Sequence, residues 1–113
     1  MACHSSVTGV WHAAGVLADS VLMGQSSASL ERVHAPKAHG GRVLHMTTSA
    51  MQLATCAFFS SVAALPGGPG QANYSAANAC LDTLSVYRHT HGSSSVSVQW
   101  GACLLYTSPS PRD

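Results

Sequence analysis

Charge is scarce in this chain. Four acidic and five basic residues make up 8% of the 113 positions and leave a formal net charge of +1, against roughly a quarter charged in an average soluble domain. With so few Lys and Arg there is no basic stripe to neutralise a phosphate backbone, which excludes nucleic acid and a charged membrane surface as partners. No uninterrupted apolar run approaches the ~18 residues needed to span a bilayer. Met1 to Ser6 lacks the basic and apolar regions of a secretory signal, so a cytoplasmic location and reduced cysteines are expected. Cys3, Cys56, Cys80 and Cys103 include no Cys-x-x-Cys, which excludes a zinc knuckle or redox dithiol and suggests small buried hydrophobes. The seven histidines contain no H-E-x-x-H and have no carboxylate placed as a third ligand, so no metal site is expected and they are assigned to the surface or to helix faces. No serine sits in a G-x-S-x-G elbow, which leaves a hydrolase without support. What remains is 46% apolar residue, a composition suited to a mostly buried segment of a larger α/β fold; the length excludes a second domain.

The pattern along the chain predicts strand, helix, strand, helix, strand. Val7, Val10, Trp11 and Val16 suit a buried strand that ends in the small-residue turn His12-Ala13-Ala14-Gly15. From Ser29, the spacing of Leu30, Val33, Ala38 and Leu44 predicts a helix that Pro36 and Gly40-Gly41 bend or interrupt. Ala54 to Val62 is too continuously apolar for a half-exposed strand and fits a central strand covered on both faces. Pro66-Gly67-Gly68-Pro69-Gly70 forces a turn, and Tyr74 to His91 then reads as a helix of four to five turns stopped by Gly92. Val96 to Gly101 is the last strand, and Met46 and Met51 are expected to fill the core. This order favours a partial Rossmann-like parallel sheet with flanking helices and right-handed crossovers.

Tyr74 and Asn78, four residues apart, share one helix face just beyond the Gly/Pro loop. In open parallel sheets ligands bind outside the C-terminal ends of the strands, where Ser61 and the first turn of the Tyr74 helix would both lie.

His12-Ala13-Ala14-Gly15-Val16-Leu17, Pro36-Lys37, Phe59-Ser60-Ser61, Pro69 to Asn78, Leu81-Asp82 and Trp100-Gly101 closely resemble, in order and spacing, the ketoreductase domain of modular polyketide synthases and related fatty-acid synthases. Lys37 lies 24 residues before Ser61, and Ser61 lies 13 before Tyr74, as in that family. Free-standing short-chain dehydrogenases usually carry Lys four residues after Tyr; these synthase domains carry Asn there and take Lys from the preceding helix, as Asn78 and Lys37 do here.

The resemblance implies an NADPH-dependent reductase of a β-ketoacyl chain held on an acyl-carrier domain by phosphopantetheine, working among neighbouring synthase domains. Tyr74 would be the proton donor and Lys37 the charge beside it and the contact to the nicotinamide ribose. Ser61 would be a second donor to the carbonyl oxygen, and Asn78 would hold a water or backbone carbonyl in the proton relay. Ala13, Ala14 and Gly15 would lie near the cofactor, with His12 structural. B-type members carry Leu-Asp-Asp after the His-Ala-Ala-Gly motif, and A-type members a Trp five residues after the Ser. Here Leu17-Ala18-Asp19 keeps the last Asp, the Trp position holds Pro66, and Pro69 and Asn73 match the B-type pattern.

Two departures qualify the likeness: the family's phosphate-binding loop and the lid that follows Trp100-Gly101 are both missing from the pattern. No G-x-G-x-x-G loop occurs, since Gly67 to Gly70 follows the wrong strand with the wrong spacing. Residues 1–102 are therefore expected to be the catalytic part of a ketoreductase without its cofactor half, inactive by themselves; a non-catalytic structural segment of a synthase is the alternative. Residues 103–113 resemble the conceptual translation of a sequencing-library adapter and are expected to be foreign to the fold.

Overall fold

The computed structural model describes residues 6–101; Cys3, Cys103 and the 103–113 tail lie outside them. Three parallel strands, β1 (Gly9–His12), β2 (Thr55–Ser61) and β3 (Val96–Trp100), form a sheet in the order β1-β2-β3. Trp11 lies opposite Ala57, and Ser61 opposite Trp100. Helices α1 (Ser27–His34) and α2 (Gly40–Thr48), joined by a π-helical turn at Ala35–His39, connect β1 to β2. Helix α3 (Ala72–Thr90) connects β2 to β3.

Local chemistry accounts for the element ends. Ser26 caps α1: its hydroxyl accepts from the Ser29 N–H while Ser29 Oγ accepts from the Ser26 N–H, a reciprocal cap of the kind worth about 1 kcal/mol. This cap moves the start of the helix two residues ahead of the expected Ser29. Pro36 has no N–H to donate, so the hydrogen-bond ladder shifts, and the Gly40 N–H reaches back to Ala35 O and Lys37 O. Gly92 ends α3 at φ +82°, with the Gly92 N–H bonded to His89 O and the Ser93 N–H to Arg88 O.

The strand alternation of β2 directs Cys56, Phe58 and Ser60 towards the helices. Cys56 and Phe58 pack with Leu53 and Leu81, and Val10 and Leu84 close the cluster. Fully burying side chains such as Phe58 and Leu81 stabilises the fold by about 1.5–3 kcal/mol each. Gly41 permits this contact, since a Cβ there would stand 2.7 Å from Leu81 Cδ2. Asp82 fastens α3 to β3 by accepting from Ser97 Oγ (2.5 Å) and Gln99 Nε2 (2.9 Å).

Several expectations are corrected. The first strand spans only Gly9–His12, and Trp11 is 63% exposed; β1 borders the sheet among the described residues, and alternation turns Trp11 to the face away from the helices. Phe59 and Trp100 share that face, with their rings 5.6 Å apart, so the helices cover β2 fully on one side only. Met46 and Met51 are exposed, not core, because α2 buries its Gly41 and Thr48 side and Met51 lies beyond the helix. Cys56 is buried, but Cys80 is exposed, outside the inner stripe of α3 that carries Ala77, Asn78, Leu81, Ser85 and Arg88. His12, grouped with the surface or helix-face histidines but given a structural role at the end of β1, is buried.

Candidate functional site

The C-terminal ends of β1 and β2, the π turn and the start of α3 meet at one edge of the sheet. Lys37, at the centre of the π turn, is only 5% exposed. Its Nζ donates to Phe59 O at 2.8 Å and stands 5.6 Å from the centroid of the Tyr74 ring. Burial pushes the Lys37 pKa down from its ordinary value, because desolvation disfavours the ammonium form. Gly15 runs alongside the same side chain, and a Cβ there would lie 3.1 Å from Lys37 Cε and 3.6 Å from Nζ. Ala13, Ala14 and Gly15 are exposed.

Ser61 and Tyr74 line a cavity of about 400 Å³ together with Leu17, Gln71 and the Pro66–Gly68 loop. Ser61 Oγ accepts from the Ala63 N–H at 3.1 Å, which fixes the hydroxyl while leaving its hydrogen available for donation. Asn78 does not reach this cavity. It is fully buried behind Tyr74, where its Nδ2 donates to Tyr74 O at 2.8 Å and its backbone carbonyl accepts from Ser60 Oγ at 3.2 Å. Asn78 Oδ1 is buried without a hydrogen-bond partner among the described residues.

Asp19, Pro69 and Asn73 meet where the 18–20 segment crosses the loop before α3. Asn73, 2% exposed, donates from Nδ2 to Ala18 O (2.9 Å) and Gln25 Oε1 (3.0 Å), and its Oδ1 accepts from the Tyr74 N–H (2.7 Å). Asp19 accepts from Gln71 Nε2 at 3.3 Å, and the Ser20 N–H donates to Gly70 O at 2.9 Å. Gly70 takes φ +68°, a conformation that favours glycine, and packs at ordinary contact distance on the Ser20 backbone. Pro69 is exposed beside these contacts and lines a neighbouring cavity with Ser20 and Leu22.

Sequence reasoning missed three participants. Gln25 joins Asn73 to Ser20 O by a second bond of 2.8 Å. Gln71 links the cavity wall to Asp19. His12 reaches the Lys37 carbonyl, Nε2 to O 3.2 Å. His12 and Gln71 carried a signal, their places in the motif that ends β1 and in the Pro69 to Asn78 run; Gln25 carried none.

The sequence profile of the KR domain matches residues 2–104. Polyketide synthase GfsE of Streptomyces halstedii is 46% identical over 93 residues, covering 82% of this chain and 2% of that synthase. The phthioceranic/hydroxyphthioceranic acid synthase of Mycobacterium tuberculosis is 45% identical over 96 residues, covering 85% of this chain and 4% of that protein. Among solved structures, the first ketoreductase of the tylosin polyketide synthase superposes with a TM-score of 0.80 at 39% identity, covering 82% of this chain and 21% of that one. An A-type ketoreductase from a modular polyketide synthase gives 0.82 at 38% identity, covering 84% and 20%. The chain thus spans a few per cent of these curated relatives' length. It belongs to the ketoreductase domain family of polyketide synthases, oxidoreductases of the short-chain dehydrogenase fold.

Proposed function

We propose that this segment carries the catalytic residues of an NADPH-dependent β-ketoacyl reductase, acting on a thioester presented by a carrier domain of the same synthase. The observation that carries the reading is the Lys37 ammonium, fixed on Phe59 O beside the Tyr74 ring, while Tyr74 and Ser61 open into one cavity. The residues fit a nicotinamide cofactor: exposed Ala13, Ala14 and Gly15 leave the end of β1 bare beside Lys37 and Tyr74, which would hold the ribose. When bound, NADPH supplies the hydride.

The chain's own residues manage the carbonyl oxygen. Ser61, its hydroxyl hydrogen free, donates to that oxygen as negative charge develops. Tyr74 gives it a proton, and the nearby ammonium of Lys37 stabilises the phenolate left behind. Asn78, held behind Tyr74 by its bond to Tyr74 O, would keep a water or backbone carbonyl in the proton relay. Asp19, Pro69 and Asn73 shape the entry beside Gln71 in the B-type manner, and Pro66 occupies the position of the A-type Trp. The 113-residue chain by itself is inactive, because it contains no glycine-rich loop on which a pyrophosphate could sit.

The test is a complete ketoreductase domain containing this segment, assayed on a diffusible β-ketoacyl thioester. Tyr74→Phe keeps the ring and removes the proton donor, so kcat falls by ~10²–10⁴-fold while NADPH affinity holds. Lys37→Ala lowers turnover comparably and also weakens NADPH binding. Wild-type turnover in Tyr74→Phe, or unchanged turnover and affinity in Lys37→Ala, would replace this reading with that of a structural segment.

A further inference from the structure

We infer that His12 is a positioning residue for Lys37: it holds the π turn by the Lys37 carbonyl and thereby aims the ammonium at the site. The inference rests on the role proposed above for Lys37. A carbonyl oxygen only accepts, so in the 3.2 Å contact His12 Nε2 carries the hydrogen and donates it. The bond joins the last residue of β1 to the centre of the π turn, across 25 residues of sequence.

The π turn gives this bond its purpose. Pro36 has removed one donor from the helical ladder, and within the turn the Lys37 carbonyl receives a short-range N–H from Gly40. The backbone there departs from the regular α-helical ladder, and it carries the side chain whose end must be placed most accurately. His12 supplies an anchor from outside the helix, on a β-strand. Its ring is itself fixed: it packs edge-on against Phe58, with centroids 6.1 Å apart, and a Cβ on Gly40 would lie 3.3 Å from its Cε1.

Three residues beyond His12, Gly15 lies along the other end of the same lysine. The His-x-x-Gly spacing therefore grips Lys37 twice, at its carbonyl and beside its Cε. Phe59 O completes the alignment by receiving Nζ. A histidine confined to packing would not explain why its side-chain hydrogen bond among the described residues falls on the backbone of this residue.

The experiment is a double-mutant cycle in a complete ketoreductase domain containing this segment, reading both kcat on a diffusible β-ketoacyl thioester and NADPH affinity by fluorescence titration. His12→Phe keeps an aromatic ring against Phe58 and removes the donor. It lowers turnover by about 10–100-fold and weakens NADPH binding in the Lys37 protein, and it adds no further loss in the Lys37→Ala protein. His12→Gln, whose amide N–H reaches a similar position, retains most of the turnover and affinity lost in His12→Phe.

Equal losses from His12→Phe in both backgrounds would assign His12 to general packing and overturn the inference, as would a His12→Gln protein no better than His12→Phe. If His12→Phe does not fold, His12→Gln decides alone, and impaired turnover in a folded His12→Gln protein counts against the inference. A silent Lys37→Ala refutes the proposed catalytic role and this inference with it. A damaging Lys37→Ala with a silent His12→Phe refutes only the inference.

Discussion

Replacing Gly15 by alanine should cost activity out of proportion to any change in stability. Gly15 is exposed and its φ is not in the left-handed region, so an alanine there meets no backbone strain, and the loss of unfolded-state freedom contributes about 0.4–1 kcal/mol, which the contact with Lys37 offsets. In a complete domain of ordinary size that contribution alone is worth about 1–4 °C in Tm, so the observed change is smaller than this. The new methyl nevertheless arrives 3.1 Å from Lys37 Cε, about 0.5 Å inside a comfortable carbon–carbon separation. The lysine end must give way, because the glycine side of the contact is backbone. Lys37 Nζ is tied at 2.8 Å to Phe59 O, so the shift is transmitted to the charge beside Tyr74. If a misplacement of about 1 Å costs about 10²-fold, half of that costs about tenfold in kcat. Gly15→Val, with more bulk at the same point, should cost more. Steady-state consumption of NADPH and a thermal melt on the same preparations provide the two readings. Full turnover in a folded Gly15→Ala protein would show that the closeness of Gly15 to Lys37 has no bearing on the chemistry.

Three other outcomes are expected. Asn73→Ala removes two donated bonds and one accepted bond at a buried position and should destabilise a complete domain by about 2–3 kcal/mol, measured by urea unfolding; a change below about 0.5 kcal/mol would mean that water replaces these bonds at no cost. Burial first, then the charges of Arg88 and His91, push the His45 pKa below its usual 6.5. The unfolded chain then binds the extra proton, so His45 contributes stability that is present above pH ~6.5 and lost as pH falls towards its lower native value. His45→Gln should flatten that acid limb, and an unchanged limb would assign it to other groups. The 113-residue chain should show no micromolar NADPH binding by fluorescence titration, since it has no glycine-rich phosphate loop; tight binding would contradict the proposed division of the domain.

The order of strands and helices was legible because each segment carries its own signal. Apolar continuity marks β2, the Pro66 to Gly70 run forces a turn, and Gly92 ends α3. The interruption at Pro36 was legible too, since proline withdraws a donor wherever it falls in a helix. Burial was less legible where it depended on which side of an element meets a neighbour. Trp11, Met46 and Cys80 are apolar enough for a core, yet alternation and helical phase turn them outward. Arg88 shows the converse: a charged residue near a helix end is 2% exposed, its Nη1 donating to His45 Nδ1 at 3.0 Å and lying 3.4 Å from Thr48 Oγ1.

By itself the sequence determined the kinds of residue and the intervals between them, Lys37 to Ser61 to Tyr74 to Asn78, and through them the family. Only the tertiary structure decided how these residues meet. The parallel pairing of β1 with β2 brings the Gly15 strip and the His12 ring to opposite ends of Lys37, and the crossing of the 18–20 segment over the start of α3 gives Asn73 partners 48 and 55 residues away. Hydrogen bonds of that range depend on strand register and crossing geometry, which follow from the packing of the whole sheet and its helices and are not written in any local stretch of chain.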